Sequence, residues 1–194
     1  MSAPAALLLI GVHREELEFG RGVAAAIDPA KVAVLEIPDG LSGRRPLPDE
    51  EFRYGTLHRE LYRQILTHMS HSGQRLLIDL HAGRDALGPS ADVICADDEL
   101  RAQLTHTIER DEAFAQQQVR VIPLGGGART HARTVIPREL WQNSDFRYLA
   151  LEIYLPESAA GCYAARMLAQ WLIERVAQCV PEPHSLGIHS GKPA

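Results

Sequence analysis

Short, nearly unbroken apolar runs alternate along this chain with segments in which apolar residues recur every three or four positions. Residues 5–12, 31–37, 75–81, 91–96, 119–124 and 148–155 are of the first kind and predict strands. Residues 15–27, 56–71, 97 to about 110, and 158–179 are of the second kind and predict helices. In the segment 56–71 the residues Leu57, Leu61, Ile65 and Leu66 are placed on one face, and the acidic first turn of 15–27 (Glu15, Glu16, Glu18) suits a helix N-terminus. Between 38 and 55 stand Pro38, Gly40, Gly43, Pro46, Pro48 and Gly55, which read as one long loop; a glycine-rich loop is expected at 125–134. Strands that are apolar throughout are buried on both faces. The expected fold class is therefore α/β, a three-layer sandwich around a mainly parallel or mixed sheet. Residues 1–180 are read as one catalytic domain, and residues 181–194, rich in proline and small polar residues, as a flexible tail.

Two of these runs end on histidine. Ala6-Leu7-Leu8-Leu9-Ile10-Gly11-Val12 leads into His13, with Glu16 three residues on, and Leu76-Leu77-Ile78-Asp79-Leu80 leads into His81. In open α/β folds ligands bind beyond the carboxyl ends of the strands, where both imidazoles are placed. Two imidazoles and a carboxylate make a candidate zinc site, and three protein ligands leave a fourth position for water. Asp79 shares a sheet face with His81 and is a candidate acceptor for its outer ring nitrogen, unless it pairs elsewhere. A third polar residue interrupts an apolar strand at Leu149-Ala150-Leu151-Glu152-Ile153. A buried carboxylate needs a partner or a task. Glu152 is either ion-paired with an arginine or a general base beside the metal, with partial burial raising its pKa toward neutrality.

Other metal-capable spacings read as solvated pairs: His106 with Glu109 inside a helix, and His68 with His71 at the end of an exposed one. The 194 residues are 45% apolar and 23% charged, with a net charge of −5, which offers no basic excess for nucleic acid. The N-terminal apolar run is too short to span a membrane and lacks the basic residues that open a signal peptide. The three cysteines, Cys95, Cys162 and Cys179, have no Cys-x-x-Cys spacing and read as reduced thiols, so a cytoplasmic location is expected.

The order His13-x-x-Glu16, then Asp79-Leu80-His81, then Glu152 on a late strand resembles the zinc carboxypeptidase superfamily, most of all its succinylglutamate desuccinylase/aspartoacylase branch. The resemblance covers residues 5 to about 178. It implies one zinc ion held by His13, Glu16 and His81, with Glu152 as the catalytic base. Arg45 and Arg53 have the separation of the family's two loop arginines, and Tyr54-Gly55 follows where the family has Phe-Pro-Gly. By that correspondence Arg45 stabilises the oxyanion and Arg53 clamps a substrate carboxylate; Arg129 and Arg133 are further candidates for substrate binding. Arg14-Glu15 replaces the family's Gly-Asn after the first histidine, Phe52 replaces the Asn before the second arginine, and the chain carries no counterpart of the family's C-terminal β-rich domain, which predicts a more open cleft. The implied activity is hydrolysis of an amide bond in a small carboxylate-bearing N-acyl amino acid or peptide. The alternatives are a formylglutamate-amidohydrolase-like enzyme and a non-catalytic ligand-binding relative. The sequence leaves the oligomeric state open.

Overall fold

The computed structural model describes residues 4–84, 90–112, 117–125 and 136–180. Six strands form one sheet: β1 (Ala6–Ile10), β2 (Val32–Glu36), β3 (Leu76–Gly83), β4 (Ala91–Cys95), β5 (Val119–Pro123) and β6 (Arg147–Tyr154), in spatial order β2-β1-β3-β6-β4-β5. The first four in that order run parallel; β4 is antiparallel to β6, and β5 is parallel to β4. The sheet is thus mixed, with its parallel part at the apolar centre. Every residue of β1 is buried, as a strand covered on both faces requires.

Helices α1 (Leu17–Ala24), α3 (Asp98–Arg110) and α5 (Ala159–Gln178) cover one face, and α2 (Glu51–Ser72) with the short α4 (Arg138–Trp141) covers the other. The alternation of side chains along each strand divides the core accordingly. Leu8, Ile10, Ile78 and Leu151 pack with Val23, Leu104 and Leu172, whereas Leu7, Leu9, Leu77 and Ala150 pack with Tyr62, Ile65 and Met69. Two helix starts are capped as their residue types favour: the side chain of Asp97 accepts from Leu100 N before α3, and that of Ser158 accepts from Gly161 N before α5.

Three expectations from the sequence are corrected. First, α2 begins at Glu51, not 56, so Arg53 and Tyr54 lie in the first turns of a helix rather than in a loop. Gly55 read as a loop residue, but a single glycine costs a helix only about 1 kcal/mol. The last loop proline is Pro48, and Glu50 Oε2 accepts from Leu47 N ahead of the first turn. Second, the buried stripe of α2 is Gly55, His58, Tyr62, Ile65 and Met69; of the residues expected on that face Ile65 belongs to it, Leu61 and Leu66 are partly buried against the same core, and Leu57 is exposed. Third, the segment 15–27 is a single 3-10 turn, Arg14–Glu16, followed by α1. The helix α4 has only four residues, too few for a periodic signal. The glycine-rich loop beyond Gly125, with Arg129 and Arg133, and the tail 181–194 lie outside the described residues.

Candidate metal centre

β1 delivers His13 through a turn that only glycine makes easily. Gly11 has φ +80°, and a Cβ there would lie 2.6 Å from the carbonyl oxygen of Ile37. Beyond it the chain is pinned to the following loop: Leu41 N donates to Val12 O at 2.8 Å, and Arg14 N donates to Leu41 O at 2.9 Å. Glu15 holds the same loop, since Gly43 N and Ser42 Oγ both donate to its carboxylate. The 3-10 turn then brings Glu16 back under His13, with Glu16 N donating to His13 O at 3.0 Å.

Glu16 lies between the two imidazoles. Its Oε1 is 2.7 Å from His13 Nδ1, and its Oε2 is 3.1 Å from His81 Nδ1. One ligand atom from each of His13, Glu16 and His81 falls within 4.8 Å of the others, the one such convergence of three metal-capable side chains among the described residues. These short contacts are made through protons that a metal ion would displace. Two nitrogens and one carboxylate oxygen on a single side, with a position left over, suit zinc in an open catalytic geometry.

The outer nitrogens of both imidazoles have partners. His81 Nε2 is 3.2 Å from Asp79 Oδ1. Asp79 is fully buried, and its Oδ2 accepts from the hydroxyls of Tyr62 and Tyr148, each at 2.8 Å. Burial works against both charges of the Asp79–His81 pair, yet their mutual attraction prevails: the Asp79 pKa is lowered and that of His81 raised well above its ordinary value, with Glu16 adding to the latter. His13 Nε2 is 3.4 Å from His58 Nε2, and His58 Nδ1 is 2.9 Å from the carbonyl oxygen of Tyr54. Burial lowers the His58 pKa. His58, Tyr62 and Tyr148 are site residues that the sequence reading passed over. The signal for the first two is that they occupy positions of the buried helical stripe ending in Ile65 and Met69.

Glu152 stands directly across from His81 in the β3–β6 register, on the same face. Gly83, its diagonal neighbour, makes room: a Cβ there would lie 2.6 Å from Glu152 Oε1. Burial pushes the Glu152 pKa up to about 7, His81 pulling the other way and Glu16 adding to the rise. Among the described residues no arginine pairs with it; the arginine at this side of the sheet, Arg120, binds Asp92 by two short hydrogen bonds.

Two clefts share residues with this cluster, one through His58 and the other through Glu16. The larger, about 520 Å³, is lined by Arg14, Arg44, Arg45, Arg53, Tyr54 and His58 among others. Its one carboxylate, Glu50, already accepts from Leu47 N. The smaller, about 360 Å³, is lined by Glu16, Gly83, Arg44 and Arg84 among others. The structure therefore places Arg45 and Arg53 in the cleft beside His58, and adds Arg44 and Arg84 beside Glu16. His68, His71, His106 and Glu109 are exposed on helix surfaces, and the three cysteines are free thiols. No helix among the described residues is long and apolar enough to cross a membrane.

No family model matches the sequence, and no curated protein does. Solved structures do resemble the fold. Murine aminoacylase 3 superposes with a TM-score of 0.51 at 12% identity over 91% of this chain and 66% of that one, so this chain spans slightly less than two thirds of its length. The gene product Atu2144 of Agrobacterium tumefaciens superposes with a TM-score of 0.50 at 9% identity over 91% of both chains. At such identities the likeness is one of fold, the α/β arrangement described above.

Proposed function

We propose that this chain is a zinc-dependent hydrolase of amide bonds, a compact member of the zinc carboxypeptidase superfamily of the succinylglutamate desuccinylase/aspartoacylase kind. The observation that carries this reading is the convergence of His13, Glu16 and His81 with Glu152 across the strand register from His81. The fold shared with aminoacylase 3 supports it.

His13, Glu16 and His81 would hold the ion. When bound, zinc lowers the pKa of a water ligand toward neutrality and polarises a carbonyl oxygen. Glu152 supplies what zinc does not, a proton acceptor poised near neutral pH. It would take a proton from the attacking water and return it to the leaving nitrogen, and the burial that raises its pKa favours both transfers. The arginines favour a substrate carrying carboxylate. Arg53, in the larger cleft, is assigned to its recognition by two-pronged hydrogen bonds. Arg44 lines both clefts and joins Arg45 as a stabiliser of the developing oxyanion. The substrate class is a small N-acyl amino acid or a short peptide.

The test is a panel of N-acyl amino acids and short peptides offered to the zinc-loaded protein, with the Glu152→Gln variant as blank. Hydrolysis of a carboxylate-bearing member, lost in the variant and after chelation, is expected. Turnover that persists unchanged in both overturns the proposal.

A further inference from the structure

We infer that His58 is the positioning residue of the metal ligand His13, and that it acts as an uncharged relay fixing which nitrogen of His13 faces the ion. The inference rests on the zinc reading above and adds a residue to it.

His58 is 2% exposed, and its ring has a partner at each nitrogen. Tyr54 presents a carbonyl oxygen at 2.9 Å from Nδ1, and a carbonyl only accepts. The proton of a neutral His58 is therefore on Nδ1, and its Nε2 is a bare acceptor. That acceptor stands 3.4 Å from His13 Nε2. Once an ion takes the place of the proton that His13 Nδ1 shares with Glu16, His13 satisfies that acceptor by keeping its remaining proton on Nε2, which leaves the Nδ1 lone pair for the ion on the side where Glu16 and His81 Nδ1 converge. Each tautomer is set by the one before it, starting from a backbone carbonyl of α2. The helix that carries Tyr54 and His58 on successive turns thus aims a ligand on a different element, 45 residues away in sequence.

The two histidine ligands are supported differently. His81 has a carboxylate behind it, Asp79, whereas His13 has a neutral imidazole. Glu16 and Asp79 bring two negative charges against the two positive charges of zinc. A second carboxylate behind His13 would overcompensate the ion and weaken its pull on a carbonyl oxygen. An imidazole orients His13 without adding charge.

The test is the zinc affinity of the metal-free full chain, measured by competition with a chromophoric chelator. Outer partners of metal-bound histidines typically carry about 10–100-fold in affinity, and His58→Leu is expected to lose that much. His58→Gln, whose amide donates to Tyr54 O and accepts from His13 Nε2, is expected to restore most of it. A merely space-filling role predicts the opposite order, with Leu tolerated and Gln not. In the zinc-loaded wild type the His13 Nε2–H should give a slowly exchanging imidazole proton resonance; its absence overturns the inference even if the leucine variant does not fold. Zinc binding unchanged in a folded His58→Leu variant overturns the relay alone. Failure of the wild type to bind zinc at these residues overturns the relay together with the metal reading.

Discussion

Glu152 and Asp79 lie on one face of the same sheet and are pushed in opposite directions by their surroundings. Burial disfavours the charged form of each. Asp79 has His81 and two tyrosine hydroxyls to offset it, so its pKa is lowered; Glu152 has no ion-pair partner among the described residues, and its pKa rises to about 7. A general base works only when ionised. The hydrolytic rate of the proposed enzyme should therefore fall on the acidic side as Glu152 takes up a proton. A bound zinc ion pulls that limb below 7 by Coulomb attraction. Glu152→Gln should keep zinc and lose about 10²–10⁴-fold in turnover, with the acidic limb gone from whatever rate remains. Stability gives a second readout. A carboxyl whose folded pKa is raised binds protons more readily in the folded state, so metal-free wild type should lose stability relative to Glu152→Gln as pH rises from 4.5 through about 7. Urea midpoints of both proteins at pH 5 and pH 8 check the sign. For Asp79, removal of either hydroxyl by Tyr62→Phe or Tyr148→Phe should cost about 1.5–3 kcal/mol, the usual worth of a hydrogen bond to a charged group. The double variant should cost more than the sum, because the first loss leaves one hydroxyl still serving Oδ2.

At the scale of elements, the site depends on where three strands stop and how one helix is turned. β1 ends at Ile10 and, through the turn at Gly11, feeds His13 to the site; β3 and β6 hold His81 and Glu152 in register. Gly83→Ala should show how tight that register is. The added methyl meets Glu152 Oε1 at 2.6 Å, well inside contact distance, so the carboxylate must swing away from its place opposite His81. Turnover should drop while the urea midpoint moves little; the reverse pattern would mean that the strands, not the carboxylate, yield. The strands were legible because a run such as Leu76-Leu77-Ile78 fits a sheet buried on both sides. The polar residues ending or interrupting those runs, His13, Asp79, His81 and Glu152, marked the candidate site for the same reason. The direction of β4 and β5 was not legible, since an apolar run looks alike read either way. The start of α2 was hidden by Gly55. His58 and Tyr62 were hidden because apolar residues alone were counted for the buried stripe, and the helix uses two polar ones there to serve the imidazole and carboxylate beneath it.

Taken whole, the molecule is acidic, with a net charge of −5, yet its larger cleft carries Arg14, Arg44, Arg45 and Arg53 against one occupied carboxylate. Arginines concentrated in a cleft of an acidic protein favour an anionic ligand there over a solvated surface. On a carboxylate-bearing substrate, Arg53→Ala should mainly raise KM, and Arg45→Ala or Arg44→Ala should mainly lower kcat if either meets the oxyanion. KM should also rise with ionic strength, because the cleft is open to solvent and its attraction is screened. If none of the three variants alters either constant, carboxylate recognition does not use this cleft. All of these expectations depend on an ion at the convergence of two imidazoles and a carboxylate. The most direct measurement is anomalous diffraction at the zinc edge from crystals of the metal-loaded chain. The expected result is a single peak about 2.0–2.2 Å from His13 Nδ1, Glu16 and His81 Nδ1. A peak elsewhere, or none from protein equilibrated with zinc, would contradict the proposed metal centre.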